Sequence, residues 1–205
     1  MSTVSLIDDD NGVLDAVSAL LRSFGHTVAC HDSAETFLAA PFEPGCIVTD
    51  LRMPGLGGMG LLSALRNRND PRAVILITAH GDVEHAVKAL KLGALDFIEK
   101  PFEEERLLEA IDSALVESER HIRESNELCD LRARYETLSR RQKEVMWLVA
   151  DGCANKEIAA RLEISIRTVE TYRAWVLEKM HARTLADLVR IALMLERSGT
   201  DRSAA

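Results

Sequence analysis

The sequence predicts a doubly wound α/β domain built on a five-stranded parallel sheet, followed by a smaller all-α domain. Three observations carry that reading. Up to about residue 115, short apolar runs alternate five times with amphipathic stretches, the pattern of buried strands and crossover helices. From about residue 138 the apolar spacing is helical throughout. Between the two, residues 116–137 are heavily charged and contain no Gly or Pro, which reads as a helical linker.

Taken in order, "TVSLI", "TVAC", "CIVTD", "AVILIT" and "DFIEK" are the strand candidates. They are short and apolar on both sides, as parallel strands covered by helices on both faces must be. The helix candidates that follow them are "VLDAVSALLRSFG", "SAETFLAA", "GLLSALRNR", "DVEHAVKALKLGA" and "EERLLEAIDSALVE". The expected boundaries are 1–116 for the first domain, 117–137 for the linker, 138–197 for the second domain and 198–205 for a disordered polar tail.

Composition narrows the class. Hydrophobic residues are 47% and charged residues 28% of the chain, enough apolar material for real cores. No apolar run approaches the roughly 18 residues that span a bilayer, and Met1 leads straight into a strand without a signal sequence. The expectation is a cytoplasmic protein with no membrane partner. Cys30, Cys46, Cys129 and Cys153 form no CxxC pair and read as reduced structural thiols, with Cys30 and Cys46 filling the core beside strands. His80 and His85 lack a third ligand at zinc-binding spacing, so they read as loop and helix-surface residues. The net charge of −8 is unevenly spread: residues 1–120 carry 10 Lys and Arg against 20 Asp and Glu, and residues 121–205 carry 15 against 13. The acidity therefore does not exclude nucleic acid as a ligand of the second domain.

In an open parallel sheet, ligands bind at the carboxyl ends of the strands. Those positions hold Asp8 and Asp9 in "SLIDDDNGVL", Asp50 in "CIVTD", Thr78 in "AVILIT" and Lys100 in "DFIEKP". Acids after strands often only cap the next helix. Three carboxylates, a hydroxyl and an ammonium together suit a different chemistry: a hard cation such as Mg²⁺ offsets the repulsion and one carboxylate attacks phosphorus. Asp50 is the best nucleophile candidate because it stands alone at the end of the central strand.

"LIDDDNGVL", "VTDLRMPG" and "LITAHGDVEHAVKALKLGALDFIEKPF" resemble the receiver domain of bacterial two-component response regulators, which has a flavodoxin-like fold. The resemblance implies that Asp8 and Asp9 hold Mg²⁺ together with Asp50 and the backbone carbonyl of Arg52. It implies that Asp50 is the phosphoacceptor, that Thr78 and Lys100 contact the phosphoryl group, and that Phe97 is an aromatic switch residue. Phe97 by itself reads equally as core. The resemblance also implies a cis bond between Lys100 and Pro101, and leaves the role of Asp10 open.

In the second domain, "NKEIAARLEISIRTVETYRAWVLEKM" places Ile158, Ala159 and Leu162 on one helix face, a turn at "EIS", and Ser165 as the cap of a second helix with Val169, Val176 and Met180 inward. This is a helix-turn-helix pattern, for which an αα-hairpin of any helical domain is the plain alternative. Arg167, Thr168, Thr171, Arg173 and Lys179 are expected on exposed sides, and they are residue types that bind phosphates. The stretch from "LSRRQKEVM" to "VLEKM" resembles the four-helix LuxR-type DNA-binding domain, with "KMHARTLADLVRIAL" as the fourth helix. The resemblance places Glu170, Thr171 and Ala174 at base edges and Lys156, Arg167, Thr168 and Arg173 at the DNA backbone, and Lys179 is a further DNA-binding candidate by residue type and exposure. Tyr172 and Trp175 depart from the family pattern, Tyr172 standing where His is usual and Trp175 where a polar residue is common.

Both halves together are similar to transcriptional regulators of the FixJ/NarL type. Such a resemblance implies a sensor histidine kinase as phosphoryl donor, a homodimer formed on phosphorylation, double-stranded DNA with two half-sites, and RNA polymerase as a further partner. The receiver would catalyse only its own phosphorylation and dephosphorylation. The rival reading is a Mg²⁺-dependent aspartyl-phosphate phosphohydrolase, because "DDDNGV" also resembles the opening motif of haloacid dehalogenase-type phosphatases; there Asp8 is the nucleophile and Asp10 the acid and base.

Overall fold

The computed structural model describes residues 2–79 and 83–199. His80 and the tail from residue 200 onward lie outside the described residues. The chain divides into two compact units, Met1–Arg123 and Glu124–Ala205.

The first unit is a parallel sheet in the order β2-β1-β3-β4-β5. Its strands are β1 (Thr3–Ile7), β2 (Thr27–His31), β3 (Gly45–Asp50), β4 (Val74–Ala79) and β5 (Asp96–Lys100). The helices between and after them are α1 (Asn11–Ser23), α2 (Ala34–Ala39), α3 (Gly57–Asn67), α4 (Val83–Lys91) and α5 (Glu104–Glu136). Alternation along the strands sorts the core into two layers. Val4, Leu6, Cys46, Val48, Ile75 and Ile77 pack on one face against Leu14, Val17 and Leu21 of α1 and Leu107, Ile111 and Ala114 of α5. Ile7, Ile47, Val74 and Leu76 pack on the other against Phe37 of α2, Leu61, Leu62 and Leu65 of α3, and Ala89 of α4. The sheet is thus doubly wound. Each fully buried Leu or Ile contributes about 1.5–3 kcal/mol through apolar area removed from water.

One expectation is corrected here. Cys46 is buried but Cys30 is exposed, because β2 is an edge strand that no helix layer covers completely. A second feature exceeds the sequence reading: α5 runs unbroken for 33 residues and takes in most of the segment read as a linker. Within the first unit its later turns are tied down by Ser118, whose buried hydroxyl accepts the backbone N–H of Ala73 at 2.8 Å.

The second unit contains α6 (Arg140–Ala150), α7 (Asn155–Leu162), α8 (Ile166–Lys179) and α9 (Leu185–Arg197). They close over the end of α5, burying Leu131, Tyr135, Val145, Met146, Ile158, Val169, Val176, Met180, Leu188 and Leu195. Trp147 donates its indole N–H to the Tyr135 hydroxyl at 2.9 Å, so a buried aromatic pair is also fully satisfied. Ser139 caps α6 in a reciprocal box with Gln142, an arrangement worth about 1 kcal/mol. Between α7 and α8 the chain reverses at Glu163, which adopts the left-handed conformation with φ 54°. Ser165 then caps α8 by accepting the Thr168 N–H at 3.0 Å. The turn and the cap together produce the helix-turn-helix geometry that the sequence pattern predicts.

Candidate functional site

The carboxyl edge of the sheet gathers four of the residues singled out above. Asp8 follows β1, Asp50 ends β3, Thr78 lies near the end of β4 and Lys100 ends β5. Lys100 Nζ donates to Asp50 Oδ1 at 2.9 Å and to Asp8 Oδ2 at 3.1 Å. The carboxylate side chains are 7% and 11% exposed, so little solvent screens the triad. Burial alone would lower the Lys100 pKa; the hydrogen bonds and charges of Asp50 and Asp8 outweigh it and hold the ammonium above its ordinary value. The group stays cationic at neutral pH.

The remaining oxygens are also held. Asp8 Oδ1 accepts the Asp10 N–H at 2.9 Å, and Asp50 Oδ2 accepts the Arg52 N–H at 2.7 Å. The loop carrying Arg52 is braced from α2, where Glu35 accepts the Leu56 N–H at 2.9 Å. Close packing at the start of α3 requires a glycine: a Cβ on Gly58 would lie 2.3 Å from the Asp50 carbonyl oxygen. Thr78 is 1% exposed and, among the described residues, its buried hydroxyl has no hydrogen-bond partner. Such an orphan is costly unless a ligand satisfies it.

The other predicted residues are placed differently. Asp9 is exposed at the rim and takes no part in the triad. Asp10 caps α1, accepting the N–H groups of Gly12 and Val13. That leaves its carboxylate committed to the helix, away from the acid–base work the phosphohydrolase reading requires. Phe97 is half-buried in β5 and packs against the core layer under α3 and α4. The Lys100–Pro101 bond is cis. Among the described residues, no group of three or more His, Cys, Asp or Glu is gathered closely enough to hold a metal ion. In this structure the cation between the carboxylates is Lys100 itself.

In the second unit α8 exposes Arg167, Glu170, Thr171, Ala174 and Lys179, and α7 exposes Lys156 near its start. The Thr171 hydroxyl donates to the Arg167 carbonyl at 3.0 Å, which leaves its methyl group to face outward contacts. Thr168 is half-buried, its hydroxyl 2.7 Å from that of Ser165. Two cations have partners that the sequence did not disclose. Arg173 is half-buried and donates to Asn155 Oδ1, linking α8 to the start of α7. Lys179 donates to the Thr137 carbonyl and to Gln142 Oε1, both at 3.0 Å, which ties the end of α8 to the start of α6.

An acidic pocket with a shared lysine on a doubly wound sheet, joined to a helix-turn-helix unit, defines a response regulator with a DNA-binding output domain. Comparison with known proteins agrees over both units: residues 4–112 match the response regulator receiver domain, and residues 136–192 match the luxR family of bacterial regulatory proteins. The transcriptional regulatory protein FixJ of Azorhizobium caulinodans is 46% identical over 193 residues, 93% of this chain and 92% of that protein. FixJ of Rhizobium meliloti is also 46% identical, over 93% of this chain and 95% of its own length. Among solved structures, the response regulator StyR has a TM-score of 0.79 at 37% identity, covering 94% of this chain and 98% of that one. Full-length FixJ from B. japonicum has a TM-score of 0.58 at 42% identity, covering 96% and 98%.

The chain belongs to the FixJ-type response regulators. It is a phosphorylation-dependent transcription regulator, of a type that accepts phosphoryl groups from sensor kinases and binds DNA through the LuxR-type domain.

Proposed function

We propose that Asp50 is the phosphoacceptor and that its phosphorylation by a sensor histidine kinase switches dimerisation and DNA binding. The observation that carries this is the Lys100 bridge between Asp50 and Asp8 beside the unpartnered Thr78 hydroxyl. One oxygen of Asp50 attacks phosphorus, the P–N bond of the donor phosphohistidine breaks with its electron pair going to nitrogen, and an acyl phosphate forms. Lys100 then pairs with the new phosphoryl oxygens, and the Thr78 hydroxyl turns to donate to one of them. The orphaned hydroxyl gains its missing partner in that state alone, so phosphorylation favours an inward Thr78.

The donor types suit Mg²⁺, since the carboxylates of Asp8, Asp9 and Asp50 and the Arg52 carbonyl are all hard oxygen ligands, although Asp9 is not gathered with the other two here. Bound there, the ion would supply positive charge against the phosphoryl oxygens. Asp8 and Asp50 are held by the triad and by backbone N–H groups, while Asp9, exposed at the rim, would have to turn inward to join them.

Inward movement of Thr78 vacates space that Phe97 fills, and the face formed by α4, β5 and α5 is reshaped. Receivers then pair across a two-fold axis, matching two half-sites about one helical turn apart. Glu170, Thr171 and Ala174 meet base edges, Lys156, Arg167 and Thr168 meet phosphates, and Arg173 and Lys179 join them by exchanging their bonds to Asn155, Thr137 and Gln142 for phosphate oxygens. Bound in this way the regulator engages RNA polymerase. The test is the solution mass of the full chain by light scattering before and after acetyl phosphate with Mg²⁺. Doubling in the unaltered chain and none in Asp50→Asn is expected; doubling in both would overturn the proposal.

A further inference from the structure

Two large apolar side chains of α8 are exposed and unused by the contacts above: Ile166 at the first position of the helix, and Trp175 further along. Trp175 is 47% exposed. Its ring meets Tyr172 edge to face, with centroids 5.7 Å apart and planes at 74°. Tyr172 is itself half-buried against the core of the second unit. The indole therefore rests on a fixed neighbour, and little rotamer freedom is left to lose on binding.

Its position on the helix decides what it could meet. At about 100° per residue, Trp175 lies about 40° around α8 from Thr171 and about 100° from Ala174. It stands at the flank of the strip formed by Arg167, Glu170, Thr171 and Ala174, on the side away from buried Val169. When such a strip enters the major groove, its centre faces base edges and its flank faces the groove wall of sugars and phosphates. A ring there packs on deoxyribose, and its one N–H points to an acceptor that DNA supplies at every step.

We propose that Trp175, braced by Tyr172, is a further DNA contact that binds the backbone at the groove wall, its ring on deoxyribose and its indole N–H donating to a phosphate oxygen. This rests on α8 being the groove-entering helix. The contact carries no charge, so it releases no counterion and adds nothing to the salt dependence of binding. It carries no base information either, so it strengthens binding to all sequences alike.

The experiment uses the full chain treated with acetyl phosphate and Mg²⁺, and a set of labelled duplexes of differing sequence read by fluorescence anisotropy. Binding by the unaltered chain, weakened by Arg167→Ala with a flatter salt slope, tests the underlying reading; its absence would sink that reading before Trp175 is considered. Given binding, Trp175→Ala is expected to lose about tenfold in affinity on every duplex with the salt slope unchanged. Trp175→Phe, which keeps the ring and removes the N–H, is expected to fall between. The chain has two tryptophans, and Trp147 is buried, so acrylamide quenching reports Trp175; DNA should protect it. Unchanged affinity, a loss confined to some sequences, or undiminished quenching at saturation would each overturn the assignment.

Discussion

Lys100 Nζ stands between Asp50 Oδ1 at 2.9 Å and Asp8 Oδ2 at 3.1 Å, so one ammonium is shared by two carboxylates from the ends of different strands and offsets part of their repulsion. Without it the two acids would face each other in a poorly solvated pocket. Lys100→Met should therefore cost about 1–3 kcal/mol in urea denaturation, less than a fully buried pair loses because the lysine side chain is partly exposed. Mg²⁺ should then stabilise the variant by more than it stabilises the unaltered chain, since the ion replaces the missing charge. Equal Mg²⁺ gains in both would show that Lys100 does not balance the cation site.

The same triad fixes a pH dependence. Because the folded-state pKa of Lys100 is raised, its contribution is fully present below the ordinary lysine value of 10.5 and is lost as pH rises through the higher folded value. The stability difference between the unaltered chain and Lys100→Met should stay flat from neutral pH to about pH 9 and shrink only in stronger alkali. A difference that closes below pH 9 would contradict the sign of the shift.

Thiol reactivity separates the cysteines. Burial pushes the Cys46 thiol up to about 12, while Cys30 and Cys129 are exposed. Alkylation of the native protein followed by peptide mass mapping should mark Cys30 and Cys129 early and Cys46 only after unfolding. Early labelling of Cys46 would mean that the sheet opens locally at β3.

On the DNA side, Thr171 commits its hydroxyl proton to the Arg167 carbonyl, so its methyl is what a thymine would meet. Thr171→Val should keep the sequence preference and Thr171→Ser should relax it at one position. Lys156→Ala should instead weaken all sequences alike and reduce the salt slope by about 1. Binding-site selection with the three variants checks this; matching profiles for Thr171→Ser and Lys156→Ala would remove the distinction between base and phosphate contacts.

Much of the pocket was legible because strand ends are legible: an apolar run followed by Asp, Thr or Lys marks the carboxyl edge, and parallel topology brings those edges together. The helix-turn-helix was equally readable from Ile158, Val169 and Val176 with a cap at Ser165. Illegible were features that depend on which elements become neighbours. Cys30 looked like core because nothing in "TVAC" shows that its strand is at the edge of the sheet. Arg173 and Lys179 looked like free phosphate ligands because Asn155 and Gln142, their partners, are 18 and 37 residues away in the chain. Asp10 was ambiguous for a local reason: a carboxylate after a strand serves a cap and a metal site with the same residue type, and only its bonds to Gly12 and Val13 distinguish them.

The most direct measurement is the intact mass of the full chain after incubation with acetyl phosphate, with and without Mg²⁺, beside Asp50→Asn and Asp8→Asn. A Mg²⁺-dependent gain of one phosphoryl group that is lost in Asp50→Asn is the predicted result. A gain that persists in Asp50→Asn and disappears in Asp8→Asn would move the nucleophile to the first strand and contradict the assignment of Asp50.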